Sequence, residues 1–362
     1  MNRDGTSTTE YVSRRSVLKA SGWVGGAFAL GSSARRVGAR QLNGTIPSRW
    51  TVVAIPDTQK YAESSSLVSY AQDQTDWIAA QKNVMNVVFA THEGDIVENG
   101  DSVTEWERMS DVMNTLDGEV PYSALLGNHD FAVTGDRESS TENYRTYFGE
   151  SRYEDYDWFG GTAPDDRGRY QRFDAGGYEF VHLSLEWAVP GSASDSDTTM
   201  GWAQDVLDAN PTTPTIITTH THLWDRPDRE GHSPRDHDAN SGQEIFSDLV
   251  APNPQVFMVL NGHSFRADGE WAQVSQNDAD LDVYEMLACY QDYPNGGNGW
   301  LRTIEFVQDG GVDEADRIRV RTYSPTLDRF ETDDRSRFGF DLDFANRFDD
   351  IPESSATDSK RS

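Results

Sequence analysis

Tyr122-Ser123-Ala124-Leu125-Leu126-Gly127-Asn128-His129-Asp130 is an apolar, strand-like run that breaks at a glycine and leaves an amide and an imidazole side by side. Asn128 can bind a metal through its side-chain oxygen, and His129 can give or take a proton near neutral pH. Alone, the tetrapeptide at 127–130 reads equally as an Asn-containing turn.

Four further polar clusters change that balance, because each also follows an apolar run. Asp57-Thr58-Gln59 follows 50–56, and Gly94-Asp95-Ile96-Val97-Glu98-Asn99 follows 84–90. His220 ends the run 214–219, and Gly262-His263 follows 255–261. In α/β sheets ligands gather beyond the carboxyl ends of strands, so five strand ends are expected to converge on one crevice.

In this order the clusters resemble the calcineurin-like metallophosphoesterase family. Its pattern is D-x-H, GDxx(D/E), GNH(D/E), a lone His and GHxH, carried on an α/β fold in which a two-sheet β-sandwich is flanked by helices. The resemblance runs from Asp57 to His263. It implies two metal ions, with Asp57 and Gln59 on the first, Asn128, His220 and His263 on the second, and Asp95 bridging them. Such O/N ligands suit Mn, Fe or Zn. It also makes His129 the catalytic residue near the leaving group, with Glu98 as its carboxylate partner. A carboxylate bonded to one ring nitrogen fixes the tautomer and raises the imidazole pKa, giving a usable general acid.

The implied activity is hydrolysis of a small phosphomonoester or phosphodiester by a metal-activated hydroxide, with two cations about 3.5–4 Å apart neutralising the phosphoryl oxygens. No Ser or Cys nucleophile competes, since there is no G-x-S-x-G elbow. The stretches Gly296–Arg302 and Thr322–Pro325 further resemble an exported bacterial and archaeal subgroup of the family.

Two positions depart from the pattern. Gln59 stands where the family has His, and Phe265 replaces the second His of GHxH. Both losses fall on the first ion, which leaves three outcomes: an ion completed by water, a substitute ligand, or a single-metal enzyme. Asp268 and Glu270, just beyond Phe265, are candidate substitutes. The cofactor expectation is therefore one or two divalent ions. The alternative function is a surface protein that keeps the fold without turnover and serves in binding or structure.

Among the remaining histidines, His222 is expected to support the ligands from behind, since it lies two residues after His220 and on the same side of an extended chain. His92 either lines the site or is structural, His182 belongs to the core, and His232 and His237 are solvated. Cys289, the only cysteine, excludes an intramolecular disulfide and is expected to pack as a small hydrophobe. Trp224, Tyr290, Tyr293 and Trp300 are expected to anchor core and loops before any substrate.

The formal charge is −30, and the 31 basic residues include only four lysines, Lys19, Lys60, Lys82 and Lys360. That balance suits concentrated salt, where self-repulsion is screened because the Debye length falls to about 3 Å at 1 M. The thermal midpoint is expected to fall as salt is removed; equal midpoints in molar and millimolar salt would refute this. Sequence-independent nucleic-acid binding is disfavoured, because it draws on Lys and Arg against phosphates.

Residues 1–40 read as a twin-arginine export signal. Arg14-Arg15 precedes a short apolar run, Ala20–Leu30, too short to span a bilayer. The expected location is extracellular or at the cell surface. No later stretch reaches about 20 consecutive apolar residues, so no transmembrane segment is expected after the signal.

Residues 41–345 are expected to form the catalytic domain and 346–362 an acidic, polar tail. Strand-like runs fall at 50–56, 84–90, 120–126, 178–186, 213–219, 255–261, 283–289 and 300–306. Helix-like stretches fall at 66–82, 104–117, 141–148, 199–209 and 240–250. A hairpin is expected around Ala175-Gly176-Gly177 and loops at 151–168 and 224–242, a mixture that favours two packed sheets.

Overall fold

The computed structural model describes residues 49–224, 229, 239–308, 316–352 and 354. The expected export signal, His232, His237 and most of the expected tail lie outside them.

Among the described residues the chain builds two seven-stranded sheets. In the first, β1 (Arg49–Ile55), β2 (Val87–His92) and β3 (Tyr122–Ala124) run parallel. Beyond β1 the sheet continues antiparallel through β11 (Leu301–Val307) and β12 (Arg317–Ser324), and both β13 (Arg329–Phe330) and β14 (Arg337–Asp341) pair with β12. The second sheet has the order β4 (Phe159–Thr162), β5 (Arg169–Ala175), β6 (Tyr178–Leu185), β7 (Thr215–Thr219), β8 (Val256–Asn261), β10 (Asp282–Ala288), β9 (Glu270–Gln276). Its central strands β6, β7, β8 and β10 are parallel.

The two sheets face each other across an aromatic core that includes Trp50, Phe89, Phe173, Phe180, Phe257 and Phe306. The Trp50 ring stacks on Phe306 at 5.4 Å. Helices α1 (Gln59–Glu63), α2 (Val68–Gln81), α3 (Val103–Met113) and α4 (Glu142–Phe148) cover the first sheet. The outer face of the second is covered by α5 (Thr199–Ala209), α6 (Gly242–Ile245) and the π-helical turn Phe246–Val250.

β1 therefore buries both faces, Trp50 and Val52 toward the partner sheet, Val53 and Ile55 toward the helices. This is why β1 and β8 read as near-continuous apolar runs instead of alternating. Each such side chain contributes about 1.5–3 kcal/mol of burial.

The expected two-sheet sandwich flanked by helices is the observed fold, and α5 has the bounds read from the sequence. Its start is set by Thr198, whose side chain accepts from Gly201 N. The expected hairpin joins β5 to β6 with Ala175 opposite Tyr178.

Several expectations need correction. The run at 84–90 becomes a strand only from Val87, because Asn86 turns the chain with φ 50°. The segment 151–168, expected as surface loop, contains the edge strand β4 and the buried Tyr153. The boundary at 345 falls inside the helix Phe344–Phe348, whose Phe344 and Phe348 both enter the inter-sheet core.

Cys289 packs with Leu223 and Leu287, and burial pushes its thiol well above the usual range. Among the described residues no helix is long and apolar enough to cross a membrane.

Candidate metal centre

Because β1, β2, β3, β7 and β8 all end on the same side of the sandwich, the residues that follow them meet. After β2 the chain turns through two consecutive positive φ angles, Gly94 at 96° and Asp95 at 51°. A non-glycine residue holds such a conformation only when its surroundings over-determine it. Asp95 is held from three sides: its carbonyl accepts from Thr58 N at 3.1 Å, Oδ1 from His129 N at 2.9 Å, and Oδ2 from Gln59 Nε2 at 3.0 Å.

Two motif glycines exist for close approach. A Cβ on Gly127 would lie 2.1 Å from Asp95 N and 2.2 Å from its Oδ1, and one on Gly94 would lie 2.5 Å from His220 Nδ1. Any side chain at either position would displace a ligand candidate.

His220 is the centre of the arrangement. Its Nδ1 donates to the Glu93 carbonyl at 2.7 Å, which fixes the tautomer and leaves Nε2 facing the crevice. Around that Nε2 stand Asn128 Oδ1 at 3.2 Å, Asp95 Oδ1 at 3.3 Å and His263 Nδ1 at 3.1 Å. One proton cannot serve three lone-pair-bearing atoms at once. A cation can, so the donor set fits a metal ion.

The candidate ligand atoms of Asp95, His220 and His263 all lie within 4.8 Å of one another. Asp57 joins from β1: its carboxylate accepts from His263 N at 3.0 Å and stands 4.0 Å from His220 Nε2.

The electrostatics point the same way. Burial alone would push the His220 ring down, but Asp95 and then Asp57 hold it up at about 9. Burial raises Asp57 to about 6, opposed by His220. Burial would likewise raise Asp95, yet His220 keeps it well below the usual carboxylate range. Two buried carboxylates are thus balanced by a borrowed proton, which a divalent ion would displace.

His129 lines the cleft, with its Nδ1 donating to the Glu98 carbonyl at 3.0 Å. The Glu98 carboxylate lies 3.7 Å from that nitrogen and 3.0 Å from Lys60 Nζ. The expected carboxylate–imidazole bond is therefore replaced by a backbone one, because the 94–99 loop turns its carbonyl to the ring while Lys60 draws the carboxylate aside. Burial would lower His129, but Asp95 and the Glu98 carbonyl raise it overall.

Asp95, Asn128 and His263 line the cleft, and Asp57, Gln59 and His220 lie buried behind them, each within hydrogen-bond or ion-pair distance of Asp95 or His263. His222 does not support them: its Nε2 lies 2.7 Å from buried Glu285, which is also paired with Arg229. The reason is that β7 ends at Thr219, so strand alternation no longer governs position 222. Glu270 is paired with Arg302 at 2.7 Å and Asp268 is exposed, so neither fills the first site.

His92 is structural, its Nε2 2.8 Å from Thr58 Oγ1 and its Nδ1 accepting from Gly94 N at 3.2 Å. It ties two ligand loops together. His182 is a core residue against Phe89. Tyr290 and Trp300 are buried, and Trp224, buried as well, lines the cleft, whose volume is about 300 Å³.

Besides Lys60, two residues were not read as part of the site. Asp130, fully buried, accepts from Gly127 N at 2.7 Å and Val97 N at 3.0 Å and so joins the loops after β3 and β2. Its only sequence signal is its place at the end of the motif at 127–130. Gln291 follows β10 and lines the cleft; no alternation or spacing marks it.

Comparison with known proteins places these observations. A family model for calcineurin-like phosphoesterase matches residues 51–266. Protein YvnB of Bacillus subtilis (strain 168) is 32% identical over 308 residues, covering 82% of this chain but 22% of that protein. The chain thus spans about a fifth of that curated relative's length.

Purple acid phosphatase PPD1 from yellow lupin (Lupinus luteus) seeds is similar with a TM-score of 0.50 and 12% identity, over 82% of this chain and 55% of that one. GAP50 of the Plasmodium inner membrane complex is similar with a TM-score of 0.46 and 10% identity, over 85% and 90%.

Proposed function

Because the chain belongs to the calcineurin-like phosphoesterase family, we propose that it is an exported metal-dependent hydrolase of a small phosphomonoester or phosphodiester. The observation that carries this reading is the set of acceptors gathered about His220 Nε2, with His129 beside them on the cleft.

Asp57, Gln59 and Asp95 would hold one ion and Asn128, His220 and His263 another, with Asp95 between them; Mn, Fe or Zn suits this set. When bound, such ions oppose charge on the phosphoryl oxygens and lower the pKa of water. The chain's own residues do the rest. The Glu93 carbonyl orients His220, and the Glu98 carbonyl holds a proton on His129 Nδ1, so that Nε2 is the nitrogen that passes a proton to the departing oxygen. The Glu98 carboxylate holds Lys60 at the cleft, where its ammonium can meet an anionic ester.

The test is purified protein in molar salt with Mn²⁺ on a chromogenic monoester and a diester. Hydrolysis of either supports the enzyme. Phe265, which cannot bind a metal, is the observation that favours a second reading, a binding or structural protein on this fold. Activity on neither substrate, with one tightly bound ion, would favour it.

Export is supported by Arg14-Arg15 and the short apolar run behind them. The double substitution Arg14→Lys, Arg15→Lys is expected to leave the protein inside the cell, as read by fractionation. Unchanged secretion would count against the twin-arginine route.

A further inference from the structure

Phe265, which stands where the family pattern has its last histidine, cannot bind a metal, and its side chain is 46% exposed at the cleft. Another side chain reaches the same side of the crevice from a neighbouring strand. β10 runs parallel to β8 with Leu287 opposite Asn261, so the chain leaving β10 arrives beside the chain that carries His263. Four residues past Leu287 stands Gln291, 8% exposed.

Its Oε1 accepts from Gln59 Nε2, and its Nε2 donates to the His263 carbonyl at 3.5 Å. Gln59 is wholly buried, and its Nε2 also donates to Asp95 Oδ2 at 3.0 Å, while its own Oε1 has no partner. A buried carbonyl without a donor is a costly state.

The amide nitrogen of Gln59 thus sits between two oxygens that both belong to the crevice. Turning that amide over about its last torsion exchanges nitrogen and oxygen without covalent cost. Three oxygens, from Gln59, Gln291 and Asp95, then face one another, an arrangement that a cation stabilises and that repels itself otherwise.

We infer that Gln291 takes the ligand place lost at Phe265 and completes an all-oxygen first metal site with Asp57, Gln59 and Asp95. This rests on the two-ion reading above. It makes the two sites chemically unlike. The first, with carboxylates and amides alone, suits hard cations such as Mn²⁺ or Mg²⁺ and exchanges readily; the second, with two imidazoles, favours Zn²⁺ or Fe.

The test titrates metal-free full-length protein with Mn²⁺ alone, by calorimetry and by metal analysis after gel filtration, with thermal midpoints as a check on folding. Wild type is expected to bind two ions of unequal affinity. Gln291→Ala should weaken the looser site by at least about tenfold and keep the tighter one. Gln291→His should restore the looser site and raise its preference for Zn²⁺ over Mn²⁺.

Should Gln291→Ala fail to fold, Gln291→Glu decides, because an added carboxylate at the same reach should tighten the looser site. Two ions bound by Gln291→Ala at wild-type affinity, or a looser site unmoved by Gln291→Glu, would overturn the inference alone. A single ion or none on wild type would overturn the two-ion reading itself, which separates the two failures.

Discussion

Asp95→Asn is expected to lower turnover by on the order of 10³-fold on either class of phosphoester, a loss comparable with removing one well-placed electrostatic group from an active site. The two side chains are nearly the same size, so the change removes charge and reverses one hydrogen-bonding partner with little loss of packing. Asp95 Oδ1 accepts from His129 N at 2.9 Å and lies 3.3 Å from His220 Nε2, while Oδ2 accepts from Gln59 Nε2 at 3.0 Å. An Asn amide nitrogen in the Oδ1 place meets the His129 N–H with a second donor, and one in the Oδ2 place does the same unless the Gln59 amide turns over.

The same substitution removes the negative charge that would lie between two ions, so metal content should fall together with rate. The measurements are steady-state kinetics in molar salt with Mn²⁺ and metal analysis of the same sample. Turnover within tenfold of wild type, with metal content unchanged, would remove Asp95 from the bridging role.

His129→Ala should separate the two quantities. Loss of a positioned proton donor typically costs about 10²–10⁴-fold, and that loss is expected here for esters whose leaving alcohol needs a proton. A chromogenic ester with an acidic phenol needs none and should lose far less. Metal content should stay at the wild-type value, because the His129 ring makes its bond through Nδ1 to the Glu98 carbonyl at 3.0 Å and stands outside the group about His220. Equal loss of metal and rate would make His129 a ligand instead. Equal loss on both kinds of leaving group would remove its proton-donating role.

Much of the fold was legible because the central strands are covered on both faces. Strand β1, with its side chains divided between two cores, is apolar from Trp50 to Ile55 apart from buried Thr51, and β8 is apolar from Val256 to Leu260; β10 admits Glu285 because His222 and Arg229 pair with it. The elements that escaped notice lie at or near sheet edges. β4 reads Phe159-Gly160-Gly161-Thr162, β9 reads Glu270–Gln276 with polar residues, and β14 alternates exposed and half-buried positions. An edge strand takes its stability from one partner and one covered face, so it carries no long apolar run.

The site divides along the same line. Asp57, Asp95, Asn128, His220 and His263 are legible because each closes a strand-like run with a residue able to bind a metal, and a strand end is a local property. His222 and Glu270 look equally suitable on the page, yet each is taken by a partner far along the chain, Glu285 and Arg302. Asp130 has only its place at the end of the motif at 127–130 as a local mark and Gln291 has none, because what gives them a role is contact with the loop after β2 and with Gln59.

The layered class of the protein and the ligand candidates at five strand ends can be read from the chain alone, since burial and strand termination leave local traces. Which polar groups share a cavity, which are consumed by ion pairs elsewhere, and that a glutamine after β10 stands beside Gln59 emerge once the chain is folded. Those facts depend on the register between strands distant in sequence, Leu287 against Asn261 among them, and no stretch of residues encodes register alone.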